Sequence, residues 1–157
     1  MKNTITNIPT DVFLSSAAIS YNGPFTGAFR KNLLDYWSTL INAKDLPLTQ
    51  DFQITKTLGD PLVIRDWVID GLPSDTVSLE NAIFAMEGNR WPLVIDPQGQ
   101  ATKWLNNMLA KEKKLITKLT SNSFLPDMRA SIKNGVPVLL IDVENTLPAV
   151  LDPLFSK

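Results

Sequence analysis

The residues best suited to chemistry lie in a loop with one glycine that follows an apolar run. The run is 92–95, and the loop after it reads Asp96, Pro97, Gln98, Gly99, Gln100, Ala101 and Thr102. In α/β proteins, ligands bind beyond the carboxyl ends of strands, and the first such turn is where a phosphate loop lies. A working phosphate loop has two glycines, a lysine that reaches the β- and γ-phosphates and a hydroxyl that holds Mg²⁺.

Several positions in this loop lack the contacts that hold ATP. If Gly99 takes the place of the second motif glycine, Gln100 replaces the lysine and Ala101 replaces the hydroxyl. Asp96 brings a negative charge close to the phosphates, which Coulomb repulsion disfavours. Pro97 has no N–H to donate. We therefore predict a degenerate phosphate-loop position that binds no nucleotide.

A second candidate position follows the last apolar run of the chain. The run 136–141 ends in Asp142, and Glu144 follows two residues later. An apolar strand that ends in acids resembles a Walker B strand, whose acids place Mg²⁺ and polarise water. The alternative is that both acids are solvated loop residues. Because the first loop lacks the lysine and the hydroxyl of a phosphate loop, we expect no bound nucleotide whose Mg²⁺ these acids could place.

The composition excludes several other kinds of active site. The chain contains no histidine and no cysteine, so a Ser/His/Asp or Cys/His arrangement and a disulfide are both impossible. Two pairs of carboxylates, Asp60 with Asp66 and Asp70 with Asp75, are better explained by helix capping and surface solvation than by acid–base catalysis. We predict no catalytic residue and no metal site.

Length and charge limit the classes of partner. The 157 residues are 44% hydrophobic and 20% charged, which is ordinary for a globular protein with a hydrophobic core. The net charge of −1 argues against a nucleic-acid surface, which carries a basic excess. No apolar run reaches the roughly 20 residues of a membrane helix, and residues 1–7 lack a signal-peptide core. We expect a soluble intracellular protein that binds neither nucleic acid nor membrane.

The pattern predicts a helical segment over residues 10–45. Thr10 or Asp11 can cap a helix over 12–19. Gly23 and Pro24 then mark a turn. A second helix presents an apolar face whose members recur at helical spacing, namely Phe25, Phe29, Leu33, Trp37 and Leu40, and Leu34 and Ile41 widen this face. Arg30 lies away from that face in this interpretation.

Residues 46–157 have an α/β pattern. After an extended connector, the sequence predicts helices over 61–70, with Asp60 as N-cap and Gly71 as stop, and 79–86, capped by Ser78. Beyond residue 90, short apolar runs alternate with helical segments: strands over 92–95, 115–119 and 136–141, and helices over 101–113 and 123–134. This order predicts a parallel sheet of three strands with right-handed crossovers.

Several long motifs resemble dynein heavy chains. The stretch Arg90–Trp104, which contains the loop above, is similar to part of the fifth AAA+ unit of the dynein ring, and its tryptophans are more typical of axonemal than of cytoplasmic dyneins. Further matching segments occur in the family's order, at 17–26, 58–61, 64–67, 71–75, 78–81, 135–140 and 151–154. The resemblance covers about residues 10–155.

The resemblance implies a mechanical role. Dynein heavy chains are microtubule motors with a six-unit AAA+ ring, a P-loop NTPase-like fold. ATP and Mg²⁺ are expected at other units, while the fifth transmits conformational change between the ring and the stalk. The implied partners are the neighbouring AAA+ units and the stalk and buttress of the same heavy chain, with microtubules reached only through the parent motor. The implied location is the cytoplasm and cytoskeleton, in particular the axoneme of a cilium or flagellum.

The sequence departs from the family pattern in its extent. By resemblance, residues 10–45 correspond to the helical segment after the stalk, and 46–157 to the first part of the fifth AAA+ unit. The family sheet has the strand order 5-1-4-3-2, whereas this chain offers strands one to three. We therefore expect a fragment of a larger motor, prone to aggregate by itself because its strand edges lack neighbours. The alternatives are a short dynein-like interaction module and an independent nucleotide-binding protein.

Overall fold

A computed structural model describes residues 2–110, 112–143 and 146–155 of the chain. Helices dominate, and the described residues contain one small parallel sheet. The chain divides into two compact units, residues 1–100 and residues 101–157.

The first unit begins with the long helix α1 (Lys2–Tyr21), which contains Pro9. The prediction that Thr10 or Asp11 caps this helix is wrong, because the helix begins about two turns earlier. The Asp11 carboxylate instead accepts two hydrogen bonds from Thr49, one from its backbone N–H at 3.0 Å and one from its hydroxyl at 2.6 Å. These bonds hold the connector after the second helix against α1.

Helix α2 (Gly27–Asn42) follows the predicted turn, but its buried face differs from the predicted one. Phe29 and Leu40 are about half exposed, whereas Arg30 is 3% exposed and Ile41 is 8% exposed. Arg30 and Ile41 are eleven residues apart, three turns of an α-helix, so they share one face. Ile41 belongs to the predicted apolar face, whereas the assignment of Arg30 to the polar side is wrong.

Helix α4 (Pro61–Ile69) has the predicted start and stop signals. It follows the short helix α3 (Ile54–Thr57), which the sequence reading missed. The Asp60 side chain accepts a hydrogen bond from the backbone N–H of Leu62 at 2.8 Å, which confirms it as the N-cap. At the other end, Gly71 has a φ of 103°, the left-handed conformation that ends helices in this way.

Helix α5 (Thr76–Glu87) starts three residues before the predicted start. Its N-cap is Asp75 rather than Ser78. The Asp75 carboxylate accepts hydrogen bonds from the Ser78 backbone N–H at 3.0 Å and the Ser78 hydroxyl at 2.6 Å. These bonds stabilise the ionised carboxylate and hold the pKa of Asp75 below its ordinary value.

The buried apolar side chains among the described residues of this unit are Leu14, Ala18, Ile41, Ile54, Trp67, Leu72, Ala82 and Ile83.

The run 92–95 is not a strand in the structure, so the three predicted strands become two. Leu93 is 77% exposed and Ile95 is 88% exposed. A strand exists only when its backbone N–H and C=O groups pair with a neighbour, and no strand of the described residues pairs with this run. The apolar pattern indicates that these side chains favour a strand, but it does not show whether a neighbouring strand is present to pair with them.

Residues 101–157 form a small α/β unit. Helix α6 (Gln100–Met108) leads to β1 (Leu115–Lys118), α7 (Phe124–Lys133) and β2 (Val138–Ile141). The two strands pair in parallel, with Leu115 opposite Val138 and Lys118 opposite Ile141, so the predicted strand–helix–strand crossover is confirmed. A 3₁₀ turn, Ala149–Leu151, and the short helix α8 (Asp152–Phe155) follow.

The core of this second unit lies where α7 packs on the sheet. Phe124, Met128 and Leu151 are buried there, with four partly buried residues packed around them: Leu119, Val138, Leu140 and Leu154. Pro126 falls in the first turn of α7, where its missing N–H has no intrahelical partner to lose. A search of the described helices finds none long and apolar enough to cross a bilayer.

Candidate nucleotide-site positions and a buried arginine

The loop predicted at the phosphate-loop position is an exposed turn that precedes α6. The Gly99 backbone N–H donates to the Asp96 carbonyl at 3.2 Å, and Gly99 has a φ of 69°. A Cβ added at Gly99 meets no atom within 4 Å, so the glycine is favoured by its backbone conformation rather than by close packing. Pro97, Gln98 and Gln100 are exposed. Ala101 and Thr102 form the first turn of α6, and neither Gln100 nor Ala101 offers the ammonium or hydroxyl of a phosphate loop.

The acid predicted at the Walker B position lies directly after β2. Asp142 has a φ of 55° and a side chain that is 67% exposed. Its Oδ2 lies 2.5 Å from Nζ of Lys118, the last residue of β1. The parallel register brings these two residues together, because Lys118 pairs with Ile141 and Asp142 follows. A lysine of the chain thus occupies one carboxylate oxygen that a magnesium ion would need.

The second predicted acid, Glu144, lies outside the residues that the structure describes. Among the described residues, no three acids cluster in a way that could hold a metal ion, and the chain has no histidine or cysteine to add to such a group. Asp60 and Asp75 are helix N-caps, Asp70 is the C-cap of α4, and Asp66 pairs with Arg65 at the surface.

Arg30 makes several polar contacts inside the first unit. Its Nε donates to the Phe25 carbonyl at 2.9 Å, and its Nη2 donates to the Gly23 carbonyl at 3.0 Å and to Oδ1 of Asn81 at 2.7 Å. Its Nη1 lies 3.3 Å from Oε2 of Glu80 in an ion pair whose side chains are 3% and 10% exposed. The guanidinium also lies over an aromatic ring of α5, 5.4 Å from the centroid of Phe84.

These contacts join three separate parts of the first unit. Arg30 belongs to α2, the two carbonyls belong to the turn between α1 and α2, and Glu80, Asn81 and Phe84 belong to α5. A planar guanidinium can bind all of them at once because its donors point in several fixed directions. The arginine therefore fixes the path of the turn relative to α5.

Sequence comparison decides the family. The family model of the ATP-binding dynein motor region matches residues 65–157, which is more than half of the chain. The chain belongs to the dynein motor-region family. This confirms the resemblance inferred from the motifs, and the two-stranded parallel sheet of the second unit is consistent with an AAA-type fold.

Curated dynein heavy chains match nearly the whole sequence. The chain is 41% identical over 153 residues to dynein axonemal heavy chain 6 of Homo sapiens and 39% identical over 157 residues to dynein axonemal heavy chain 1 of Mus musculus. It is 37% identical over 152 residues to the dynein-1-beta heavy chain, flagellar inner arm I1 complex, of Chlamydomonas reinhardtii. These matches cover 98%, 100% and 96% of this chain, but only 4%, 4% and 3% of the relatives.

The sequence-based prediction for this dynein segment missed the buried contacts of Arg30, although the sequence contained a signal for them. Arg30 precedes Leu34, Trp37 and Ile41 by four, seven and eleven residues, which is the spacing of one helix face. All three are buried or partly buried. An arginine on an apolar face needs a buried partner. The partners, Glu80 and Asn81, lie 50 and 51 residues away in sequence, so one helix pattern could not reveal them.

Proposed function

We propose that this chain is part of an axonemal-type dynein heavy chain that moves on microtubules, and that it forms the first part of the fifth AAA+ unit of the ring. In this proposal the segment binds no nucleotide and transmits conformational change between the ring and the stalk. The family match and the similarity to axonemal heavy chains support the parent motor and a location in a cilium or flagellum.

The observation that carries the non-nucleotide role is the composition of the loop, since Gln100 and Ala101 supply neither the lysine nor the hydroxyl that a phosphate loop uses. The pairing of Asp142 with Lys118 makes a smaller contribution. A Walker B acid acts through Mg²⁺ and water, and here its carboxylate is in contact with an exposed ammonium group. Neither position therefore has the chemistry of a nucleotide site.

Titration calorimetry with Mg·ATP tests this role on the 157-residue chain. We expect no heat of binding up to about 1 mM nucleotide, which corresponds to less than about 4 kcal/mol of binding free energy. A parallel titration with ADP detects a site that holds only product. Micromolar binding of either nucleotide contradicts the proposed loss of the site, and mutation of Gln100 then shows whether the loop is responsible.

The mechanical role rests on the Arg30 contacts. A rigid contact between α2 and α5 can transmit a displacement from one helix to the other, whereas a loosely packed contact absorbs the displacement. In the full-length motor, Arg30→Lys keeps the charge but loses the planar fork. We expect basal ATP turnover to be retained and microtubule gliding velocity to fall. Arg65→Lys, at an exposed surface pair, is the matched control and leaves gliding unchanged. Equal gliding by both variants contradicts the mechanical role.

A further inference from the structure

An apolar groove lies on the second unit between α7 and the segment that contains α8. Its volume is about 320 Å³. We call it the α7–α8 groove. Its lining includes Leu125, Arg129, Ile132 and Lys133 of α7, with Val150 and Leu151 from the opposite side. One wall is α7, and the other is formed by the 3₁₀ turn and the one-turn helix α8. An apolar groove of this kind can receive the apolar face of an amphipathic helix.

Apolar residues of the groove are accessible in the isolated chain. Ile132 is 48% exposed, Val150 is 46% exposed and Leu125 is 37% exposed, whereas Leu151 beneath them is buried. On α7, Leu125 and Ile132 are seven residues apart and form one continuous stripe along the helix. Covering this stripe removes apolar area from water, which favours an occupant with its own apolar face.

One wall of the groove is basic. Arg129 and Lys133 are four residues apart on α7, are both exposed and both line the groove. No acidic side chain lines the groove among the described residues. The second unit as a whole has eight lysines and arginines against five aspartates and glutamates, a net charge of +3, while residues 1–100 have seven against eleven, a net charge of −4. The occupant that fits is therefore acidic along one edge.

We propose that the α7–α8 groove docks an acidic amphipathic helix from another segment of the same heavy chain. The helix would place apolar side chains on the Leu125–Ile132 stripe and two carboxylates, four residues apart, beside Arg129 and Lys133. The same-chain source rests on the proposed function, because this chain spans about 4% of the dynein heavy chains that it matches. Most of such a heavy chain therefore lies outside these residues.

A designed peptide tests the chemistry of the groove. The probe is a labelled helical peptide of about 16 residues, long enough to fold on docking, with leucines on one face and two flanking glutamates four residues apart. Fluorescence anisotropy with the 157-residue chain should detect binding that weakens as salt rises. A second peptide with lysines in place of the glutamates should bind about tenfold more weakly or not at all.

Charge reversal locates the site. The double variant Arg129→Glu, Lys133→Glu should weaken the acidic peptide about tenfold or more and strengthen the lysine peptide. The control Lys103→Glu, Lys113→Glu makes the same change in net charge at two exposed residues that do not line the groove, and it should bind like the unaltered chain. Circular dichroism confirms that both variants are folded. Equal binding of the two peptides, or equal effects of the two double variants, overturns the proposal.

Photo-crosslinking identifies the source of the helix. A photoreactive residue that replaces Ile132 of this segment within the full-length heavy chain should crosslink to an acidic helical peptide elsewhere in the same polypeptide. A product with a second copy of this chain, a product with a different protein, or no product overturns the same-chain assignment. The peptide experiments need no nucleotide. Their result can therefore be interpreted even if calorimetry contradicts the proposed loss of nucleotide binding.

Discussion

Replacing Arg30 by methionine is the sharpest test of what holds the first unit together. The substitution keeps most of the apolar stem and removes four hydrogen bonds, to the carbonyls of Gly23 and Phe25 and to the side chains of Glu80 and Asn81. It leaves the Glu80 carboxylate, whose side chain is 10% exposed, without its positive partner. Removing one member of a buried ion pair costs about 3–5 kcal/mol because the remaining charge is uncompensated.

The control is an exposed arginine–carboxylate pair of the same unit. Arg65 and Asp66 are in contact at 3.1 Å, but their side chains are 64% and 62% exposed. Water solvates both groups when the pair is broken, so Arg65→Met should cost no more than about 1 kcal/mol. The predicted loss of unfolding free energy is therefore several times larger for Arg30→Met than for Arg65→Met, although both delete one arginine and one ion pair.

Urea denaturation followed by circular dichroism and tryptophan fluorescence measures both variants. Because domains are stable by about 5–15 kcal/mol in total, Arg30→Met is expected to lower the midpoint strongly or to abolish the cooperative transition. Adding Glu80→Gln should recover about 1–3 kcal/mol, because it removes the unpaired charge. The reasoning is refuted if Arg30→Met and Arg65→Met have the same midpoint, or if Glu80→Gln makes the first variant less stable still.

Three further substitutions test local features. Asp75→Ala removes an N-cap and should cost about 1 kcal/mol at pH 7. Because the folded pKa of Asp75 is lowered, its contribution is present above the ordinary aspartate pKa and is lost as pH falls through the folded value, so the difference from the unaltered chain should shrink in acid denaturation series below about pH 4. Gly59→Ala places a Cβ against the backbone carbonyl oxygen of Thr55 and 2.6 Å from Cδ1 of Ile64, and it should cost about 1–3 kcal/mol by urea denaturation because the backbone must shift. Gly71→Ala forces an alanine to a φ of 103° and should cost about 1–2 kcal/mol by thermal denaturation.

Local sequence signals predicted both ends of α4, although they misplaced the starts of α1 and α5. Asp60, Pro61 and Gly71 mark the ends of α4 through contacts within a few residues, so their meaning does not depend on the rest of the chain. The crossover from β1 to β2 through α7 was likewise predictable, because short apolar strands alternating with a helix have one favoured arrangement.

Features that depend on distant partners were missed. The run 92–95 has the composition of a strand, but no described strand pairs with it. The burial of Arg30 depends on Glu80 and Asn81, which a reading of α2 alone does not include. At the Walker B position, Asp142 was predicted as a strand-end acid, but its contact with Lys118 required the register of two strands. In each case the deciding interaction joins residues that are far apart in sequence.

The Lys118–Asp142 pair and the loop do not contribute equally to the expected loss of nucleotide binding. Both side chains of the pair are more than half exposed, so the pair is worth at most about 1 kcal/mol and less at high salt. That is too little to keep a tightly bound ion away from a carboxylate. Mg²⁺, however, is usually held by one or two carboxylates together with the phosphates of the substrate. A loop that cannot hold phosphates therefore denies Asp142 its metal, whatever Lys118 does. It follows that Lys118→Met should change the unfolding free energy by less than about 1 kcal/mol and should not restore Mg·ATP binding in calorimetry. Restored binding in that single variant would make the lysine, rather than the loop, the cause.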